Sequence, residues 1–463
     1  MSRPFPQHPF LSDEFAPIQF EADAYDLPVR GEIPRDLFGT LLRNSPNPQF
    51  APRDKNYHCF VGDGMVHAFH IEDGRVSYRN RWVRTPKFEL ERAAHRSLFG
   101  SWGDPRTTDR SAIGKDFGVA NTSIVIHGNK AFACEEMHLP FEIDPETLES
   151  RGYWNFSGAL KTGRFTAHPK VDPQTGEMVF FGYSVGGWFT KTIAYGFVDR
   201  EGKLTRMEKF NAPYSCMIHD FLATKNYLLF PIMPLTGSLM RAMTGRSPFK
   251  WEPDKGSYVG VVRRDAGAAS MRWFRCDPCF VFHGMNAYEE DDKIIAHVIQ
   301  YDAAPELKAD STDLAKANGR LTRWELNLRD NNDHVKQVQI DDLAGEFPRI
   351  DERFAQNPYR HGYFAAKRDG IRFDKLVHHD FATGRQTIYK LPEGDALSEP
   401  VFAPRHAGAA EGDGYLLATI YRGSENRSDF AIFDASAIEK GPVALVELSH
   451  RVTTGFHGAW LSS

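Results

Sequence analysis

Hydrophobic and polar positions in this chain alternate in short bursts. From about residue 51 onward, four to eight residues of β-branched, aromatic or alternating character are followed by Gly, Asp, Asn or Pro, and the unit recurs to the end. The pattern predicts strands at Thr122–Ile126, Lys130–Cys134, Met178–Tyr183, Tyr227–Pro231, Ser257–Val262, Met271–Arg275, Lys293–Gln300, Leu321–Leu326, His334–Ile340, Lys375–Asp380, Tyr415–Tyr421 and Asp429–Asp434. Helical periodicity is scarce, with Arg84–Ser97 and Leu235–Thr244 as the best short candidates. Asp144-Pro145-Glu146-Thr147-Leu148, Asp172-Pro173-Gln174-Thr175-Gly176 and Asp380-Phe381-Ala382-Thr383-Gly384 read as hairpin turns. In each, Asp or Pro sets the first bend, and Gly, where present, permits positive φ near the end.

Strands dominate, and no low-complexity linker or shift in composition marks a boundary between two sandwiches. The expectation is one all-β domain over residues 1–463. A β-propeller accounts for the whole span, because radial repetition leaves only short protected edges. Seven blades over about 420 residues take roughly 60 residues each, longer than the usual repeat of about 40 to 50, so long loops are expected on one face. Residues 1–50, rich in proline and aromatics with little periodicity, are expected to form an extended N-terminal strap.

Composition narrows the function. Of 463 residues, 41% are hydrophobic and 25% charged, and the net charge of −5 is spread along the chain, so nothing points to a grip on nucleic acid or on an anionic membrane. A neutral or apolar ligand fits better. Met1 to Phe20 contains Pro4, Pro6 and Pro9 and no uninterrupted apolar core, so it does not read as a secretory signal, and the protein is expected to be cytoplasmic. The longest apolar run, Tyr227 to Leu235, is about nine residues and contains two prolines, far below the roughly 20 needed to span a bilayer. Five cysteines in so long a chain do not make a disulfide framework. Cys276-Asp277-Pro278-Cys279 has the spacing of a zinc or redox pair, but it stands without the second pair a structural zinc site needs and reads as buried or incidental. Gly62-Asp63-Gly64 lacks the spacing of a nucleotide fingerprint and reads as a tight turn.

Four histidines close short apolar runs: Phe165-Thr166-Ala167-His168, Cys216-Met217-Ile218-His219, Val281-Phe282-His283 and Gly455-Phe456-His457. Each is expected in a strand-like segment. In a propeller the innermost strands lie along one axis, where residues distant in sequence can converge. Neutral imidazoles gathered there would suit Fe, Zn or Cu.

Further motifs identify the group. Gly62-Asp63-Gly64-Met65-Val66-His67, Tyr78-Arg79-Asn80-Arg81 through Arg84-Thr85, Ala120-Asn121-Thr122, Phe165-Thr166-Ala167-His168-Pro169-Lys170, His219-Asp220-Phe221, Phe282-His283, Glu346-Phe347-Pro348-Arg349-Ile350, Glu399-Pro400-Val401-Phe402 and Phe456-His457-Gly458 resemble, in order and across nearly the full chain, the carotenoid cleavage oxygenase family. The resemblance implies a seven-bladed β-propeller whose long loops and few short helices cap an Fe(II) held by His168, His219, His283 and His457. It implies that Glu136, Glu346 and Glu399 accept hydrogen bonds from the outward ring nitrogens and fix the tautomers. Thr122 matches a residue close to the open iron position. The implied reaction is cleavage of a conjugated C=C bond by O₂ into two carbonyl products, with no reductant or organic cofactor, in an apolar tunnel.

Ser97-Leu98-Phe99-Gly100, Trp251-Glu252-Pro253, Gly256-Ser257-Tyr258 and Glu411-Gly412-Asp413-Gly414-Tyr415-Leu416-Leu417 resemble most closely the bacterial lignostilbene dioxygenase and isoeugenol monooxygenase branch. That branch implies a small stilbenoid or phenylpropanoid alkene as substrate. Phe60 matches a ring that stacks on the substrate, whereas Trp102 stands where the branch has tyrosine and Glu135 where it has lysine. A carboxylate there cannot stabilise a phenolate and would raise the phenol's pKa. The second reading is an apocarotenoid oxygenase, with Leu239-Met240-Arg241-Ala242-Met243 as a weak membrane-surface contact. The third is an iron-binding isomerase-like or non-catalytic relative. Oligomeric state is left open, a homodimer being one option.

Overall fold

The computed structural model describes residues 4–462 apart from 56, 105, 245, 306–315, 330–331 and 368–369. Short turns between alternating runs dictate antiparallel pairing of sequence neighbours, and the aspartate turns show how. Asp144 Oδ1 accepts the N–H groups of Glu146 and Thr147 at 3.0 and 2.9 Å, Asp172 Oδ1 those of Gln174 and Thr175 at 2.8 and 3.2 Å, and Asp380 Oδ1 those of Ala382 and Thr383 at 3.0 and 3.3 Å. Gly176 and Gly384 then turn the chain at φ +74° and +68°, while Leu148 takes φ +61° where no glycine is present.

The strands form a seven-bladed β-propeller. The first blade joins the two ends of the chain: Gly458–Ser462, Gly39–Pro46, Gly64–Glu72, Arg75–Trp82 and Ala22–Ala24. Blades two to six then follow in sequence, opening at Ser123–His127, Lys170–Val171, Leu222–Ala223, Phe280–Glu290 and Ala344–Ile350. The seventh opens at Ala396–Leu397 and Val401–Pro404 and takes Val29–Gly31 on its outer edge. A small pair, Leu235–Gly237 with Phe249–Trp251, is inserted in blade four.

The predicted strands are all present, with ends within two residues. Helix Pro86–Ala94 occupies part of Arg84–Ser97: Thr85 Oγ1 accepts the Phe88 N–H at 3.2 Å, and His95 at φ +53° ends it. The expected helix Leu235–Thr244 is shorter, Leu239–Met243, because its first residues join the inserted pair. The strap also ends early. Residues 4–38 do cross the surface, but Gly39–Pro46 is a buried strand between Gly64–Glu72 and Gly458–Ser462. Its run Leu41-Leu42 followed by Arg43, Asn44 and Ser45 hides the alternation, because both faces are covered. The five cysteines are free and buried, Cys276 and Cys279 among them. Asp63 in the glycine turn contacts Lys87 Nζ at 2.5 Å, and a Cβ on Gly64 would lie 2.3 Å from the Ala120 carbonyl. That turn is tight because a neighbouring backbone presses on it. Among the described residues no helix is long and apolar enough to cross a membrane.

The ring is sealed between the first and seventh blades, where the fully buried Phe69 and Phe430 stack at 4.5 Å within one apolar cluster. Phe69→Ala is expected to cost about 3 to 5 kcal/mol, read by denaturant unfolding. A loss below about 1 kcal/mol would show that the seam does not depend on this contact.

Candidate metal centre

The chain delivers one polar side chain to the axis at or just before the opening strand of every blade: His457, Thr122, His168, His219, His283, Glu346 and Glu399. His168, His219 and His457 lie in the segments leading into those strands rather than within them, which differs from the expected strand placement. Outside the ladder, the backbone is free to aim the ring at the axis. His283 is inside its strand, and there the register shifts on both sides of Gly284, a bulge that re-aims the side chain.

The four imidazoles meet. One nitrogen from each of His168, His219, His283 and His457 lies within 4.8 Å of the others. The Nε2 atoms of His219 and His283 are 3.1 Å apart, and those of His168 and His219 3.0 Å. Three rings are held from behind by carboxylates. Nδ1 of His283 donates to Glu346 Oε2 at 2.5 Å, Nδ1 of His457 to Glu399 Oε1 at 2.8 Å, and Nδ1 of His219 to Glu136 Oε1. With Nδ1–H committed outward, the facing Nε2 atoms of His219 and His283 present lone pairs to each other. A shared cation stabilises that arrangement and a hydrogen bond does not, so the donor set fits a borderline divalent metal.

Electrostatics agree. Burial, and then the other three imidazoles, push His168 well below the ordinary histidine range, and burial takes His457 down to about 4, so both rings are neutral ligands. Burial would lower His283 as well, but the Glu346 charge overcomes it and raises the group, the direction in which this nitrogen attracts a positive ion. Burial alone would raise Glu399, yet Arg349, His457 and Arg43 hold it at about 2.

The carboxylates are themselves anchored. Tyr183 Oη donates to Glu136 Oε2 and Tyr301 Oη to Glu346 Oε1, each at 2.7 Å, while Arg349 Nη1 lies 3.3 Å from Glu399 Oε1. Burial, with the adjacent carboxylate, raises both phenols well above the usual range, so they stay donors. Sequence reasoning did not assign these three roles. Arg349 was legible inside Glu346-Phe347-Pro348-Arg349-Ile350; Tyr183 ends an ordinary strand pattern and Tyr301 directly follows one, and neither carried a signal.

A cavity of about 340 Å³ reaches the centre and is lined by His219, His283 and His457 together with Thr122, Phe60, Trp102 and Glu135. The Thr122 hydroxyl donates to Asn121 Oδ1 at 3.0 Å, and its carbonyl accepts the His457 N–H at 3.0 Å, which ties it to a ring of the centre. Phe60 and Trp102 meet edge to face at 6.1 Å, and Trp102 is 40% exposed at the rim. Glu135 is paired on the cavity wall: Oε1 accepts the Val119 N–H at 3.0 Å and contacts His138 Nδ1 at 2.6 Å. Burial favours the neutral acid, but the His138 contact prevails and lowers Glu135, and the same contact raises His138.

Residues 15–462 match the family described as Retinal pigment epithelial membrane protein. Over 98% of both chains, the protein is 41% identical to isoeugenol monooxygenase of Pseudomonas putida. The chain belongs to the carotenoid cleavage oxygenase family. It is also 36% identical to lignostilbene-alpha,beta-dioxygenase isozyme III of Sphingomonas paucimobilis, over 98% of this chain and 97% of that one. Among solved structures, Pseudomonas brassicacearum lignostilbene dioxygenase superposes with a TM-score of 0.96 at 34% identity over 100% of both chains. A variant of Synechocystis apocarotenoid oxygenase superposes with a TM-score of 0.85 at 28% identity over 96% of this chain and 97% of the other. The protein is therefore an alkene-cleaving oxygenase with the four-histidine metal site of the family.

Glu346→Gln removes the acceptor that fixes the His283 tautomer. It is expected to weaken divalent-metal binding by about 10- to 100-fold, measured by chelator competition; unchanged affinity would contradict the tautomer argument.

Proposed function

We propose that the protein is a non-haem Fe(II) dioxygenase that cleaves the conjugated C=C bond of a stilbenoid or phenylpropanoid-type substrate into two carbonyl products with O₂. The observation that carries the reading is a four-imidazole set opening on a small, mostly apolar cavity. His168, His219, His283 and His457 would hold the iron, which supplies activation of O₂ for the cleavage. Neutral ligands leave the ion its full charge, and balance comes from the carboxylates of Glu136, Glu346 and Glu399 behind three of the rings.

The chain's own groups do the rest. The three glutamates hold protons at Nδ1 and keep each Nε2 directed inward. Thr122, on the cavity wall beside His457, limits what fits next to the centre. The Phe347 ring lies 5.8 Å from that of His283 and 5.4 Å from that of His457, covering them with an apolar face that excludes water. Phe60 and Trp102 provide edge and face for an aromatic substrate ring. A volume of about 340 Å³ is at the small end for ligand sites and suits a compact aromatic. The names of the relatives point the same way.

The second reading, an apocarotenoid substrate, is favoured by one feature. Helix Leu239–Met243 exposes Met240 by 69% and Met243 by 71%, and Pro248 and Phe249, on the segment packed against it, line the cavity. A weak membrane-surface contact there would present a lipid-dissolved polyene.

Anaerobic loading with Fe(II), then incubation with stilbenes, vinylphenols and apocarotenals in air, followed by mass analysis, separates the readings. The first expects paired aldehydes from the stilbenoid or phenylpropanoid compounds; cleavage of apocarotenals alone would overturn it. His283→Ala is expected to lose iron retention and O₂ uptake together, and full iron content in that variant would contradict its role as a ligand. Glu135→Lys exchanges a carboxylate paired with His138 for a cation. It is expected to raise the kcat/KM ratio of 4-hydroxystilbene over its methyl ether by about tenfold, the worth of one charge-assisted hydrogen bond. An unchanged ratio would place the phenol elsewhere.

A further inference from the structure

Besides the glutamates behind the rings, one buried aspartate ties three of the histidine segments together. Asp220 follows His219 and is 5% exposed. Its Oδ1 receives Lys170 Nζ at 2.7 Å and the Phe221 N–H at 2.8 Å, and its Oδ2 receives the Gly284 N–H at 3.0 Å. Lys170 lies two residues after His168, and Gly284 directly follows His283. One carboxylate thus spans blades three, four and five.

Local geometry shows why the contact exists. The strand Phe280–Glu290 is bulged at this point, with register shifts on both sides of Gly284, and the Gly284 N–H turns to Asp220. A Cβ on Gly284 would come within 2.6 Å of Leu222 Cδ2, so glycine lets the two segments close to this distance without displacing that side chain. His168 gains most. Its ring has no carboxylate partner among the described residues, so the Lys170 ion pair supplies the registration that glutamates give to the other three rings.

We propose that Asp220 is a positioning residue, a clamp that sets the spacing of the segments bearing His168, His219 and His283 before metal arrives, with Lys170 as its cationic arm. The inference rests on the reading that the four imidazoles hold a metal. Aspartate suits the task because its short stem reaches a neighbouring N–H, a cross-blade N–H and an ammonium at once. Its charge, not only its shape, is used by Lys170.

The test compares wild type, Asp220→Asn, Lys170→Met and Lys170→Arg as full chains. Fe(II) dissociation constants come from anaerobic chelator competition, ligand-field bands from saturation with Co(II), and apoprotein melting temperatures from circular dichroism. Asp220→Asn and Lys170→Met are expected to weaken Fe(II) binding by about tenfold or more, as loss of an outer partner of a metal site does, and to shift the Co(II) bands. Lys170→Arg, which restores the ion pair, is expected to return both readouts toward wild type. Wild-type affinity and bands in Asp220→Asn and Lys170→Met would overturn the clamp, and so would a lowered melting temperature with unchanged bands. Should Asp220→Asn fail to fold, Lys170→Met decides by the same criteria. If wild type itself takes up neither ion, the metal reading fails and the clamp with it; if wild type binds and the variants bind equally, only the clamp fails.

Discussion

An imidazole offers one nitrogen to a cation only when the other is occupied, and this centre depends on that rule. The donation of Nδ1–H from His219, His283 and His457 to Glu136, Glu346 and Glu399 leaves the Nε2 lone pairs on one side, crowded to about 3 Å where two of them face. Without the carboxylates either tautomer would serve, and the rings could satisfy one another by hydrogen bonding. With them, the inner face is a donor set waiting for positive charge. The anchors behind the carboxylates, Tyr183, Tyr301 and Arg349, extend the constraint outward, so that tautomers, ring angles and charge are fixed by groups that do not themselves meet the four inward nitrogens.

The propeller makes this economical. Every blade begins at the axis, so a chain of mostly local hairpins places seven distant positions on one ring, and the longest-range sheet pairings are those of N-terminal strands, Val29–Gly31 on the seventh blade and Gly39–Pro46 in the first. In the first blade the last strand, Gly458–Ser462, pairs with Gly39–Pro46, and His457 sits one residue before that closure. Closing the fold and completing the metal site are therefore the same event in space. The cost is that the backbone must leave the ladder wherever a ring is aimed inward, and the bulges around Gly284 and between Glu346 and Arg349 are those departures.

Much of this was legible in the sequence because its signals are local. Strands announced themselves by alternation, and the turns at Asp144, Asp172 and Asp380 by residues whose side chains make the very hydrogen bonds observed. The four histidines were legible as a pattern but not as a site: convergence is a property of ring closure, and resemblance, not spacing, named the ligands. Gly39–Pro46 was missed because burial on both faces erases period two. The pairing of Glu135 with His138, three residues away, went unread because no motif marks it. Tyr183, Tyr301 and the Lys170–Asp220 pair act through three-dimensional contacts alone, which no pattern along one chain reveals.

The substrate channel follows from the same economy, since the centre opens into largely apolar walls and the charged groups on them are paired with one another or with neighbours, as in Glu135 with His138 and Lys87 with Asp63. The central claim is that neutral imidazoles alone form the protein's share of the metal's coordination. X-ray absorption on the purified protein as isolated tests it most directly. The account predicts an iron edge whose fine structure is fitted by four imidazoles with no protein carboxylate or thiolate bound; a fit that requires sulfur or carboxylate ligation, or fewer than three imidazoles, would contradict it.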